Sequence, residues 1–118
     1  MGQTVNAIPD SLLREANSDH GTRGRVRRGA HRVPILCDGE VVGFYTPHTA
    51  ASGERRIGPI YVRPAWRGRG LVTGIYASIP GPMLACIEED NAASVRLHER
   101  AGFCRWRRYA HGWYWRRP

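Results

Sequence analysis

At 118 residues, 42% of them hydrophobic and 24% charged, the chain has the make-up of one globular domain over residues 1–118 and not of a disordered or fibrous protein. No run approaches the ~18–20 apolar residues of a membrane-spanning helix, and Met1 to Asp10 lacks the basic and apolar blocks of a secretory leader. Eighteen basic residues, every one an arginine, oppose ten acids for a net charge of +8, a balance that favours polyanionic partners and leaves the fold open.

Pro9-Asp10-Ser11 ahead of Leu12, Leu13 and Ala16 predicts a short helix with Asp10 or Ser11 as its cap. His20 to Arg32 is rich in glycine and arginine, contains no acid after Asp19, and reads as a basic loop or arm. Two β-prone runs, Arg32–Cys37 and Val41–Tyr45, flank Asp38-Gly39 and predict a hairpin. Thr49 to Gly53 reads as a turn, and Arg56 to Val62 as one strand with a bulge at Gly58-Pro59. Leu71 to Ile79 is an apolar helix stopped by Pro80-Gly81-Pro82, and Met83 to Ile87 a buried strand. Asp90-Asn91 caps a helix over Ala92–Arg100 that Ala101-Gly102 ends. Phe103 to Tyr109 and Trp113 to Arg116 make a terminal hairpin. This order of helices and strands is α/β, or α+β: a mixed sheet with helices packed on it.

Cys37, Cys86 and Cys104 form no CxxC pair and no cluster with the five histidines. They predict neither a disulfide framework nor a metal site, and read as small buried side chains in a reducing cytoplasm.

The stretch Tyr61-Val62-Arg63-Pro64-Ala65-Trp66-Arg67-Gly68-Arg69-Gly70-Leu71 leads from a strand into a helix through a turn with two glycines. Backbone without Cβ atoms can curl its N–H groups toward an anion, and the following helix adds its unpaired amides and positive dipole end. The loop suits a pyrophosphate. It has neither the Gly-Lys-Ser/Thr of a Walker loop nor the three-glycine spacing of dinucleotide folds. A second constellation, Asn91, Ser94, Leu97 and Gly102-Phe103, follows the next strand.

Together the two segments resemble the GCN5-related N-acetyltransferase (GNAT) superfamily, over residues 41 to 118. Its signature is Arg-x-x-Gly-x-Gly/Ala after the fourth strand, then Asn-x-x-Ala/Ser-x-x-Leu/Tyr and a closing Gly-Phe. The resemblance implies a GNAT fold: a mixed, mostly antiparallel central sheet whose fourth and fifth strands splay apart, helices on both faces, and acetyl-CoA, or another acyl-CoA, in the gap. It implies that backbone groups of Ile60, Tyr61 and Val62 bond the pantetheine and the acetyl carbonyl. The amides of Arg67, Gly68, Arg69, Gly70 and Leu71 would hold the pyrophosphate. Asn91 would contact the pantetheine arm, and Ser94 would lie near the cofactor. The expected activity is transfer of an acetyl group to an amine on a small molecule or protein.

Family members commonly carry a tyrosine after the leucine of the second motif, which protonates the departing sulfur; here that position is His98, able to exchange protons near neutrality. The glutamate that many members carry on the fourth strand has no counterpart among Arg56, Ile57, Gly58 and Pro59. Glu54 just upstream, or Glu88 after the fifth strand, is the candidate base.

Two arginine clusters, Arg23 to Arg32 and Arg105, Arg107, Arg108, Arg116 and Arg117, flank the motifs, the second interleaved with Trp106, Tyr109, Trp113, Tyr114 and Trp115. Arginine with stackable aromatics suits nucleotides. Two alternatives to amine acetylation therefore stand: nucleobase modification, as by the phage Mom DNA-modification proteins that share the fold, and a non-catalytic nucleic-acid-binding module. The three tail tryptophans are equally candidates for a homodimer contact.

Overall fold

Asp38 and Gly39 both hold positive φ, 52° and 80°, the backbone that a two-residue hairpin turn needs to match the twist of its strands. The hairpin is the expected one. β1 (Val33–Cys37) pairs antiparallel with β2 (Glu40–Tyr45), with a register shift between Ile35 and Leu36. The computed structural model describes residues 8–19 and 31–118, so the basic stretch expected from His20 lies outside the described residues as far as residue 30.

Two compact units are present, residues 8–19, 31–47 and 57–69 forming the first, and 48–56 with 70–118 the second. In the first, β2 also pairs antiparallel with β5 (Ile60–Val62), giving the sheet order β1-β2-β5. Helix α1 (Asp10–Ser18) lays Leu12 and Ala16, both fully buried, against Phe44 and Tyr61. Burying a leucine in this way stabilises by about 1.5–3 kcal/mol. The helix starts one residue earlier than its polar residues suggest. Pro9 is the cap residue, its carbonyl accepts from the amides of Leu12 and Leu13, and Asp10 sits in the first turn, where its charge suits the helix dipole.

The second unit holds a five-stranded sheet in the order β3-β4-β6-β8-β7, with β3 at His48–Thr49, β4 at Arg55–Arg56, β6 at Met83–Glu88, β7 at Cys104–Tyr109 and β8 at Gly112–Arg117. The β4–β6 pair is parallel and the others antiparallel. Along β6 every second side chain, Met83, Ala85 and Ile87, is buried, as is Trp115 opposite Ala85 on β8. This unit also carries α2 (Leu71–Ser78) and α3 (Ala92–Arg100). The C-terminal end of α2 is held by Arg117, whose guanidinium donates to the carbonyls of Tyr76 (2.6 Å), Gly81 (2.7 Å) and Ile79. A cation there satisfies carbonyls that the helix leaves without partners.

The mixed, mostly antiparallel α/β arrangement is as expected; one strand is not. The predicted strand over Arg56–Val62 is two short ones, β4 and β5, lying in different sheets. Pro59 has no N–H to offer a ladder, and the chain leaves one sheet before it and joins the other after it. The cysteines differ as well. Cys104 is exposed and Cys37 and Cys86 are half-buried.

Candidate functional site

After β5 the chain makes a single 3-10 turn, Pro64–Trp66, with the Trp66 amide on Arg63 O and the Arg67 amide on Pro64 O. Gly68 and Gly70 then hold φ of 78° and 77°, a region that costs any residue with a Cβ. Gly70 is the N-cap of α2, and its carbonyl accepts from Gly74. Between Arg67 and Gly74 no amide donates to a backbone acceptor among the described residues. The amide of Arg67 is already spent on Pro64 O, so the open amides begin at Gly68, one residue later than the motif suggests.

In the first unit, the motif arginine is anchored. Arg67 Nε donates to Val62 O (2.7 Å), its NH2 meets Asp19 (3.0 Å), and the guanidinium lies 5.5 Å from the Tyr61 ring centroid. Tyr61 is buried and Ile60 half-buried. The Tyr61 hydroxyl and the Arg63 guanidinium both donate to Glu15 on α1. Burial, reinforced by the Glu15 charge, pushes the Tyr61 phenol up. Arg69 lies over Trp66, 5.9 Å from its centroid.

In the second unit, the Asn91 side chain caps α3 by accepting from the Ser94 amide (3.2 Å). Four residues beyond Ser94, His98 is 6% exposed. Its Nδ1 lies 2.7 Å from Ser94 O, an acceptor that carries no hydrogen, so Nδ1 bears the ring proton and donates it there. Nε2 is then an acceptor, and the buried Tyr76 hydroxyl donates to it at 2.7 Å. Burial lowers the His98 pKa below its usual value, against the Ser94 hydrogen bond, and burial raises that of Tyr76. The rings of Tyr76, His98 and Phe103 contact one another edge to face, with centroids 4.9–5.1 Å apart.

This departs from the expected acid. Both ring nitrogens of His98 are occupied and its one proton points at a carbonyl, so the side chain has none to hand on. Tyr76 was not singled out by the sequence. The available signal was a bulky phenol in a mostly apolar helix, whose hydroxyl once buried must find a partner.

Glu54 is 6% exposed and its carboxylate accepts from Ser52 Oγ (3.0 Å) and Arg116 Nε (2.9 Å). The Arg116 hydrogen bond, outweighing burial, holds its pKa below the usual carboxylate value. A carboxylate so stabilised is a poor proton acceptor. Arg116, grouped by sequence with the surface arginines, is also its counter-ion. Glu88 ends β6, half-buried and opposite Gly112, and its carbonyl accepts from the Asn91 amide that opens the α3 cap. Among the described residues no group of three or more His, Cys, Asp or Glu is placed to hold a metal ion, and no helix is long and apolar enough to cross a membrane.

The model of the acetyltransferase (GNAT) family matches residues 6–103. Over 80 residues the chain is 34% identical to a mycothiol acetyltransferase of Stackebrandtia nassauensis, an alignment that takes in 58% of this chain. The chain spans only 26% of that relative's length. Among solved structures, a GnaT-family acetyltransferase of Bordetella pertussis aligns with a TM-score of 0.65 at 19% identity, covering 92% of this chain and 89% of the other. The Campylobacter jejuni N-acetyltransferase PseH, solved in complex with acetyl coenzyme A, aligns with a TM-score of 0.57 at 18% identity, covering 69% and 62%. With the family's model spanning most of its length and both motifs in their structural context, the chain belongs to the acetyltransferase (GNAT) family.

Proposed function

We propose that the protein is an acetyl-CoA-dependent N-acetyltransferase, a single acyltransferase domain over residues 1–118, acting in the cytoplasm on an amine acceptor. The observation that carries this reading is the run of amides from Gly68 to Thr73, none of which has a backbone acceptor among the described residues, in a turn with two positive-φ glycines and two arginines. Such groups fit an anion of the pyrophosphate kind, and family membership favours coenzyme A over other phosphates. When bound, acetyl-CoA supplies the thioester whose acetyl group goes to the amine.

The amides of Gly68, Arg69, Gly70 and Leu71 would hold the pyrophosphate, with the Arg67 side chain bracing the loop through Val62 O and Asp19. Main-chain groups of Ile60, Tyr61 and Val62 would align the pantetheine. Asn91 and Ser94 would meet it from the start of α3. Of the two candidate bases, Glu88 is the one we assign to accepting the amine proton: it ends β6 and its main chain meets Asn91 at the cap of α3, whereas the hydrogen bond from Arg116 lowers the proton affinity of the Glu54 carboxylate. His98, with Tyr76, would keep α3 and α2 in place.

Thermal unfolding with and without acetyl-CoA tests this reading. At a hundred times the dissociation constant a ligand stabilises by about 2.7 kcal/mol, a rise on the order of 10–15 °C for a domain of this size. A rise with acetyl-CoA and CoA that ATP does not reproduce supports the proposal. An equal rise with ATP, or none, overturns it.

A further inference from the structure

Strand β7 is the outermost strand of its sheet, and every residue from Cys104 to Arg108 on it is exposed. It is bulged. The register steps from Arg105 opposite Trp115 to Arg107 opposite Tyr114, leaving Trp106 unpaired in between. That tryptophan is 42% exposed, which is unusual for so large an apolar side chain. Guanidinium groups lie over the aromatic rings throughout the hairpin. Arg116 is 4.1 Å and Arg107 4.6 Å from the Trp106 centroid, and Arg105 is 5.3 Å from Trp113 and 5.4 Å from Trp115. Arg108 also covers Trp113 and is paired with Glu89, while Arg116 is paired with Glu54. Arg105 and Arg107 have no carboxylate partner among the described salt bridges.

We infer that the β7–β8 hairpin is a docking surface for single-stranded nucleic acid, with Arg105 and Arg107 meeting phosphates and Trp106 and its guanidinium neighbours offering planes on which unpaired bases stack. The charge picks out a polyanion, and the alternation of flat cations with rings picks out one that also carries flat faces. A second copy of the chain is disfavoured at this edge, because antiparallel pairing of β7 with itself brings the arginine cluster of one copy, Arg105, Arg107 and Arg108, against that of the other. The surface uses none of the residues assigned to pyrophosphate, and the inference stands or falls without acetyl transfer.

The test is fluorescence anisotropy of the whole chain, without acetyl-CoA, on labelled 12-nucleotide oligothymidylate and oligouridylate, with a duplex, heparin and polyglutamate as competitors. Both single strands are expected to bind, with affinity falling as salt rises by about 0.7 logarithmic units per unit of log salt for each phosphate neutralised. Joint replacement Arg105→Ala and Arg107→Ala should therefore flatten that slope by roughly 1.4. Trp106→Ala should weaken the single strands by on the order of 5- to 100-fold and leave heparin unaffected, with Trp106→Phe retaining most of the affinity. Unchanged melting temperatures for these surface variants exclude a folding cause. Four results would overturn the inference: no binding at 50 mM salt, heparin or polyglutamate competing as well as the single strands, tighter binding of the duplex, or a dimer in solution that Trp106→Ala dissociates.

Discussion

The Tyr76 hydroxyl donates a 2.7 Å hydrogen bond to Nε2 of His98, joining the last turn of α2 to the last turn of α3 inside one unit. Because Nδ1 of the same ring is bonded to Ser94 O, the neutral tautomer is fixed with Tyr76 as the donor, and protonating Nε2 would reverse that bond and put a charge in a buried site. A position where the family often carries a proton donor is here a buried link.

Tyr76→Phe keeps the ring and orphans Nε2, so it should cost about 1–3 kcal/mol, read as a lower urea midpoint at unchanged slope. The wild type should also be acid-sensitive in a defined window. Burial depresses the folded pKa of His98 below its ordinary 6.5, so the unfolded chain takes up the proton first. Stability is then full above pH 6.5 and lost as pH falls from there toward the folded value. The urea midpoint should drop between pH 7.5 and 5.5, and His98→Gln should remove that part of the drop.

Glu54 follows the same sign at lower pH. Its pKa is held below the ordinary 4.5, chiefly by Arg116, so its contribution is present above pH 4.5 and disappears as pH falls through the folded value. Glu54→Gln should cost on the order of 1–3 kcal/mol at neutral pH and show a shallower acid limb in a melting-temperature series from pH 6 to 3. Were Glu54 the base, the same variant would abolish turnover; the pairing with Arg116 predicts that turnover survives.

Gly70→Ala isolates the loop. An added Cβ would meet nothing within 4 Å, so the substitution fails by backbone strain at φ 77° and not by collision. The expected cost is about 1–2 kcal/mol of stability, with a weaker affinity for acetyl-CoA by isothermal calorimetry as the turn relaxes.

Glu88→Gln tests the assigned base. Losing a general base lowers turnover by about 10²–10⁴-fold, while the thermal shift with acetyl-CoA should be retained. Recovery of the rate at higher pH, where the amine deprotonates unaided, separates loss of a base from loss of the fold.

Most elements were legible in the chain because their signals are local. Asp38-Gly39 sets a hairpin, Pro80-Gly81-Pro82 stops α2, and Asn91 caps α3, each by chemistry within a few residues. The split at Gly58-Pro59 was readable as an irregularity, but which sheet each half joins depends on partners far along the sequence, Met83 for Arg55 and Tyr45 for Ile60. Side-chain pairings were the least visible. Nothing near Glu54 announces Arg116, 62 residues away, and nothing near His98 announces Tyr76, 22 residues away. The glycines after β5 need no such partner, because a turn of positive φ is announced by the residue type alone.

The three rings of Tyr76, His98 and Phe103, their planes inclined at 63–76° to one another, have a practical consequence. Each ring carbon of His98 lies in the magnetic field of two neighbouring aromatic currents, so its proton resonances should fall well away from those of the exposed His48 and His111. A single well-separated histidine signal would make this cluster a built-in nuclear magnetic reporter on the seam between α2 and α3. Any ligand that shifts one helix against the other would announce itself there without a label.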